Sequence, residues 1–495
     1  MAREVSALTD ENPLAFISPD IAKFRHSFQI KLPRCGVVMP VKGVHDQSYE
    51  NWRAQITSLY GGPLEFFFCI ETEEDPAHPH ILRLIGENPD VRIHCLVAGL
   101  TWHTTQKNHN VLHGFERAMR TCDYVIVLDD DCKLHPGTIR AWVEELESDP
   151  EAFACTGYPF EYLSKGETSV ASYLAVHWRI LASNGFNHPK DRPVNVWGGG
   201  VMYRAEELKR NAYKLLDAYR DGGYSDDLMT ACFARHHKRT IAVPKTALFP
   251  NEIGPVELDR FWNFLCRQIF VLTQTYSCQS QRVMCIAQAW VNASMHACIF
   301  IGFILSCVTT TYLAAAVMLL APRGPAPADS GPFAVFGVGG QCASSGTVPS
   351  ALLYWVMLLF FGYASKRELR SFAHLCNVLS PHGYGDEPID VSHIPMWRLC
   401  VTYMGYAPLI PAATIATLLS QDIVWSNIKY TLLGGRIAKL ERRDGKGPKP
   451  VGEWYTIPRE VSLEKSLKEL AQFRMEHDGL LPGYRPDGSA KGKLA

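Results

Sequence analysis

YVIVLDDDCKLHPG (residues 124–137) joins an unbroken apolar run to three consecutive aspartates. A short run of β-branched and aromatic residues of this kind reads as a strand buried on both faces. The same character recurs upstream in GVVMPV (36–41), LEFFFCI (64–70) and VRIHCLVAG (91–99). Between these runs, NWRAQITSLY (51–60) and NVLHGFERAMR (110–120) carry helical spacing, and 136–148 reads as a helix opened by Pro136 in its first turn. Strands that alternate with short helices predict an α/β domain, with a mostly parallel sheet covered by helices on both faces. Ligands of such sheets bind beyond the carboxyl ends of the strands. Two acidic clusters end strands here, Glu71, Glu73, Glu74 and Asp75 after the second and Asp129, Asp130 and Asp131 after the fourth, so both are expected to face one crevice.

The chain has 495 residues, 47% of them apolar, with 49 Lys and Arg against 50 Asp and Glu. That balance excludes a disordered or collagen-like chain. It also excludes a broadly basic nucleic-acid-binding protein, because no excess of positive charge exists to neutralise phosphates. Fifteen cysteines are scattered without CxxC spacing, several inside apolar runs, which reads as buried thiols in a reducing compartment rather than a zinc site.

The average conceals two halves. Residues 283–322 contain no Asp, Glu, Lys or Arg over 40 positions, about twice the ~20 residues that cross a bilayer. The reading divides this region into an interfacial segment (286–298) and a crossing segment (299–321), with a Gly- and Pro-rich loop over 322–347. A second crossing is expected over 348–364, and 399–419, interrupted by Pro408 and Pro411, is expected to be broken or re-entrant. The expected organisation is an N-terminal extension (1–33), a cytosolic catalytic domain (34–282), a membrane region (283–424) and a basic cytosolic tail (425–495). The tail carries 14 Lys and Arg, whereas the 322–347 loop carries one, so the positive-inside rule puts domain and tail on the cytosolic side and favours an even number of crossings. Residues 1–16 hold no apolar run of signal-peptide length; insertion is expected through later segments or an anchor outside this chain.

Several residues carry candidate chemistry. Three adjacent carboxylates repel, and a divalent cation is the usual compensation, with hard oxygen ligands on one side and diphosphate oxygens on the other. The competing reading is a cap for the following helix. Asp226 and Asp227 in DGGYSDDLM (221–229) suit a general base or, equally, a helix cap. Gly198, Gly199 and Gly200 after Trp197 form a tight turn or let an acceptor approach the backbone. Arg260, Arg267 and Gln268 lie on an aromatic helix, where a guanidinium would grip a diphosphate or anchor at a membrane interface. Lys107 in TTQKNHN is a lone lysine of the kind that is ordinarily solvated, and His236 and His237 read as a solvated turn.

The segments NWRAQITSLYGGPLEF (51–66), VAGLTWHTTQKNHN (97–110), LDDDCKLHPGTI (128–139), VWGGGVM (196–202), RDGGYSDDLM (220–229) and IVWSNIKYTLLGGRIAKLERR (423–443) are collinear, and with them the chain resembles the ceramide glucosyltransferases of plant and algal type, within the inverting GT-A glycosyltransferases. The resemblance covers about residues 35–445. It implies an α/β GT-A nucleotide-diphospho-sugar transferase domain, with a mixed, mostly parallel sheet, followed by C-terminal membrane helices. It implies metal and diphosphate binding by Asp129 and Asp131 with Mn²⁺ or Mg²⁺, and catalysis by Asp227 with Asp226 beside it and Arg267 on the leaving group. Donor binding is implied for Glu71, Glu74, Asp75, Lys107, Asn110, Asp130 and Gln268, and an acceptor-side role for Gly198, Gly199 and Gly200. The family's QxxRW signature maps onto residues 264–268, where only Arg267 survives and Gln268 gives the RQ ending of the plant-type enzymes. The implied partners are UDP-glucose and ceramide in a lipid bilayer of the Golgi or endoplasmic reticulum. A second reading keeps the fold and changes the lipid acceptor or the UDP-sugar. A third is a non-catalytic sugar-nucleotide-binding membrane scaffold, against which the retained aspartates argue.

Overall fold

The computed structural model describes residues 32–443 and 454–457, except 46, 57–59, 184–195, 245, 277–278, 321–346 and 381–387. The expected N-terminal extension (all but its last two residues), the 322–347 loop (all but its last residue) and most of the expected tail lie outside the described residues.

The apolar runs form the strands. In chain order come β1 (Cys35–Pro40), α1 (Ser48–Ile56), β2 (Leu64–Ile70), α2 (Ala77–Glu87), β3 (Arg92–Val97), α3 (Gln106–Thr121), β4 (Tyr124–Leu128) and α4 (Thr138–Ser148). Helix α4 starts two residues later than expected, because Pro136 belongs to the preceding turn and Gly137 is the cap. Then follow β5 (Ala152–Thr156), β6 (Tyr158–Leu163), α5 (Val170–Ser183), β7 (Gly200–Arg204), α6 (Ala205–Lys209), α7 (Leu215–Arg220), α8 (Asp226–His236), β8 (Thr240–Ala242), β9 (Leu248–Ile253) and α9 (Leu258–Gln274).

Seven strands make one mixed sheet in the order β3-β2-β1-β4-β7-β5-β8. All neighbours are parallel except β7, which runs antiparallel to both β4 and β5. Successive side chains alternate between two cores. Phe66, Phe68, Ile126 and Leu128 pack with Trp52, Ile81 and Trp142 on one face. Phe67, Cys69, Val125 and Val127 pack with Val111, Phe115 and Tyr203 on the other. Strand order reverses between β1 and β4, which puts the crevice at their carboxyl ends, beside Asp129.

Beyond α9 the chain continues as α10 (Gln279–Leu320), α11 (Thr347–Leu379), α12 (Met396–Tyr406) and α13 (Leu409–Leu419). Among the described residues, two stretches are long and apolar enough to cross a membrane, Gln281–Ala315 and Met396–Leu419, and the crossing expected over 348–364 is not one of them. The first exposes Ile301, Ile304, Leu305 and Val308. In the second, 56% of the most apolar window is buried inside the protein against 6% in the first, so it is covered mainly by protein. The backbone shows no break between the two expected segments: α10 runs as one helix from 286 through 298 and on to 320. Helix α11 likewise runs on past 364 through Lys366, Arg367 and Arg370, all good helix formers. Between α12 and α13 the chain is interrupted at Ala407 and Pro408, and Pro411 falls in the first turn of α13, where an amide has no intrahelical acceptor to lose.

The expected tail is corrected at its start. Residues 422–443 and 454–457 hold an antiparallel sheet of β10 (Asp422–Trp425), β11 (Ile428–Leu433), β12 (Arg436–Arg443) and β13 (Trp454–Ile457). The count of basic residues hid a period-two pattern: Ile428, Tyr430 and Leu432 are buried, while Lys429 and Thr431 between them are partly exposed. Ile428, Tyr430, Leu432, Ile437 and Leu440 join Phe261, Leu265 and Ile269 of α9 in one core.

Candidate active site

A cleft of about 590 Å³ opens at the carboxyl ends of β1 and β4. Such a volume lies within the range of small-molecule sites. Asp129, Asp130 and Asp131 leave β4 at its floor, and the loop is pinned from behind. Trp52 Nε1 donates to the Asp130 carbonyl at 3.2 Å and Asn51 Nδ2 to that of Asp131 at 3.3 Å. The Asp129 amide donates to the Gly199 carbonyl at 2.9 Å, which ties the aspartates to the glycine turn.

Lys107 is the hub. Its ammonium stands 2.9 Å from Asp129 Oδ1 and 3.3 Å from Asp226 Oδ2, and donates to the Gly198 carbonyl at 3.0 Å. Thr105 caps α3 by accepting from the Asn108 amide at 3.2 Å, which fixes the first turn that carries Lys107. Thr104 Oγ1 and Asn108 Nδ2 both donate to the Gly223 carbonyl, at 2.8 and 3.1 Å. The helix start is thereby clamped to the turn that delivers Asp226 and Asp227. Gly222 in that turn has φ +74°, a conformation that favours glycine, and its carbonyl accepts from the Ile437 amide of β12 at 2.9 Å.

The cap reading for 225–227 holds in part. Ser225 is the N-cap of α8, accepting from the Leu228 amide at 3.2 Å. Asp227 Oδ1 also accepts from that amide, at 2.7 Å, and receives the Ser225 hydroxyl. Asp226 instead turns to Lys107.

Charge is strongly perturbed. Burial, with Asp131 adding to it, pushes Asp129 up to about 6 against the opposing pull of Lys107. Burial and the two flanking aspartates push Asp130 up to about 8. Burial and then Asp226 push Asp227 up to about 6, although Ser225 and the Leu228 amide favour its charge. Burial opposes charge on Lys107, but Asp129 and Asp226 outweigh it and hold the ammonium well above its usual range. Arg267 reaches the opposite wall with its guanidinium 4.8 Å from the Trp425 ring centroid. Burial lowers its pKa, partly offset by Tyr224 and Asp129.

Lys107, Asn110, Asp129, Asp130, Asp131, Gly198, Gly199, Asp226, Asp227, Arg267 and Gln268 all line this cleft. Asn110 also braces the backbone, its Nδ2 donating to the Cys69 carbonyl at 3.0 Å. Gly200 lies behind the cleft as the first residue of β7, its carbonyl taken by Thr156. The acidic group after β2 does not line the cleft. Glu71 is buried in ion pairs with Arg442 of β12 and, at 2.9 Å, with Lys42. Burial would raise its pKa, but Arg442 and Lys42 outweigh it and lower it. Asp75 accepts from the amides of Gly43 and Ala77, both at 2.9 Å, and shapes the turn there. Glu74 is exposed.

Lys42, Glu161, Arg179, Trp425 and Tyr430 are among the lining residues that went unforeseen. Arg179 on α5, half-buried, pairs with the buried Glu161 at 2.6 Å in the wall. The one sequence signal was an arginine inside the otherwise apolar VHWRILA (176–182).

Gly198 has no room for a side chain. A Cβ there would stand 2.9 Å from Asp226 Oδ1 and 3.3 Å from Asp227 Cβ. Gly198→Ala is expected to displace Asp226 from Lys107 and lower the transfer rate about 10- to 100-fold, as misplaced catalytic groups do. Initial rates with circular dichroism as a folding control check this.

Residues 19–174 match the family model described as Glycosyl transferase family 21. The match takes in Lys107 and all three aspartates after β4. It supports a glycosyltransferase, hence a sugar donor and an acceptor. Among solved structures, the chain is similar to the mannosyltransferase PcManGT from Pyrobaculum calidifontis in complex with GDP-Man and Mn²⁺, at 14% identity and a TM-score of 0.36, over 76% of this chain and 96% of that one. No curated protein is matched.

Proposed function

We propose that the chain transfers glucose from UDP-glucose to the primary hydroxyl of ceramide, with inversion, giving β-glucosylceramide and UDP, as a GT-A enzyme of the ceramide glucosyltransferase type. The observation that carries this is the meeting of Asp129, Asp131, Asp227 and Arg267, from three separate elements, around one cleft of substrate size.

Among the described residues no three His, Cys, Asp or Glu side chains form a metal site by themselves. The residues nevertheless suit a divalent cation shared with substrate. Asp129 and Asp131 are hard oxygen donors on one strand end, open to the cleft where diphosphate oxygens would complete the shell. When bound there, Mn²⁺ or Mg²⁺ would neutralise charge on the departing diphosphate.

The chain's own groups account for the rest. Asp227 takes the proton of the acceptor hydroxyl, whose oxygen forms a bond to the anomeric carbon as the bond to the diphosphate breaks on the opposite face. A carboxylate raised to about 6 remains ionised at neutral pH and is more basic than a free aspartate. Arg267 receives the diphosphate charge in a partly dehydrated wall, where such a contact is strong. Lys107 holds Asp129 and Asp226 in register.

A membrane-bound acceptor suits the rest of the chain. Ceramide leaves a bilayer only at about 0.8 kcal/mol per CH₂ exposed, so the site must approach the leaflet. Trp425 and Tyr430 line the same cleft as Asp129, although the apolar helices lie between them in sequence. That supports an even number of crossings, with the domain and the C-terminal strands on one side, cytosolic by the distribution of Lys and Arg, at the Golgi or endoplasmic reticulum.

The test is mass spectrometry of products from a total lipid extract supplied with several UDP-sugars. Hexosylceramide formed from UDP-glucose alone is the expected result. Another glycolipid would move the acceptor, another UDP-sugar would move the donor, and binding without product would remove the transferase reading.

A further inference from the structure

A second cavity, of about 360 Å³, lies between α11 and the segment leading into α12. It shares no residue with the cleft, and the sugar chemistry does not use it. Its cationic lining is Lys366, Arg367 and Arg370.

Lys366 is buried and forms the base. Its ammonium donates to the carbonyls of Val391 and Ile394, and to that of Ser392 at 3.2 Å. Three neutral acceptors use its three donors and fold residues 391–394 around it, but none cancels its charge. Among the described residues, the nearby carboxylates make their hydrogen bonds elsewhere, Glu368 accepting from Ser183 Oγ at 2.8 Å and Asp390 from the amide and hydroxyl of Ser392, with Asp390 attracting the ammonium only through space. Arg367 and Arg370 are exposed and form no ion pair among the described residues. The result is a concave site with a fixed buried cation and two free guanidinium forks, suited to bidentate contact with phosphate oxygens.

Its position specifies the kind of phosphate. Val356, Phe360, Tyr363, Arg367 and Arg370 follow one another at spacings of four and three, so they share one face of α11. The first three are exposed apolar or aromatic side chains. Across the cavity, Met396, Trp397 and Val401 of α12 are exposed as well. Exposed apolar residues thus run through a tyrosine and a tryptophan, the side chains that favour a bilayer interface, into the cations. A soluble phosphate has no use for the apolar approach; a phospholipid does.

We propose that this cavity binds the phosphate headgroup of an anionic phospholipid whose acyl chains lie along the exposed face of α11. The full chain, purified in neutral detergent, is incubated with phosphatidic acid or phosphatidylcholine and retained lipid is counted by native mass spectrometry. Phosphatidic acid is expected to be retained about ten-fold over phosphatidylcholine, in line with the worth of juxtamembrane cations. Arg367→Gln/Arg370→Gln should abolish the preference. Lys209→Gln/Arg210→Gln, the same loss of charge at the C-terminal end of α6, should keep it. Equal retention of the two lipids, a preference that survives in Arg367→Gln/Arg370→Gln, or its loss in the α6 control would overturn the proposal. Displacement by an equal concentration of inorganic phosphate would reassign the cavity to a soluble anion and equally overturn it. The readout needs no sugar transfer, so its failure is separate from failure of the glucosyltransferase reading.

Discussion

Asp227→Asn is expected to lower sugar transfer about 10²- to 10⁴-fold, the usual contribution of a positioned general base, while the chain stays folded. The amide keeps the shape of the side chain and still accepts from the Leu228 amide, but it takes no proton. Stability should move the other way. Asp227 is raised to about 6 in the folded chain, so folding is favoured while the group is protonated and loses that contribution as pH rises through about 6. At pH 7.5 the asparagine variant is therefore expected to melt at or above the wild-type temperature, and the difference should shrink as pH falls below about 6. Wild-type activity should fall over the same acidic range as the base takes up its proton. A variant with wild-type rate, or one that loses activity only by unfolding, would remove Asp227 from the mechanism.

Lys107→Met should be the most damaging single change to the fold of the site. It leaves Asp129 and Asp226 facing each other without the ammonium that now stands between them. Removing one partner of a buried ion pair typically costs about 3 kcal/mol or more. Asp129, already raised to about 6 with Lys107 present, would be raised further without it. Its protonation at lower pH would then relieve the repulsion, so the stability deficit should be largest above pH 7 and smaller at pH 5. Denaturant melts in metal-free buffer at the two pH values measure this. A deficit independent of pH would place the cost in packing instead of charge.

The strands were legible because each is an uninterrupted apolar run. LEFFFCI became β2 residue for residue, and YVIVL became β4 with its aspartates at the crevice. Local signals also pointed to the residues that share the cleft: an acidic strand end, a Gly-Gly turn before paired aspartates, an arginine on an aromatic helix. Long-range pairing was not legible. Glu71 sits in an acidic run that reads as a binding surface, yet Arg442, 371 positions away, buries it in an ion pair. Nothing near Glu71 in sequence announces that partner. The same contact explains why 425–443 was read as a tail: a sum of charges records Arg442 as solvated, whereas the alternation of Ile428, Tyr430 and Leu432 records a strand. Lys107 was undervalued for the converse reason, since its two carboxylates come from β4 and α8 and meet it only in the folded chain.

In the proposed function one cleft both holds the nucleotide sugar and delivers its sugar to a lipid hydroxyl. The direct measurement is UDP release from UDP-glucose by the purified full chain with Mn²⁺, with and without ceramide, for wild type and Asp227→Asn. Release is expected to require ceramide and to disappear in the variant while UDP-glucose still binds. Release that ignores ceramide, or that persists in Asp227→Asn, would contradict it.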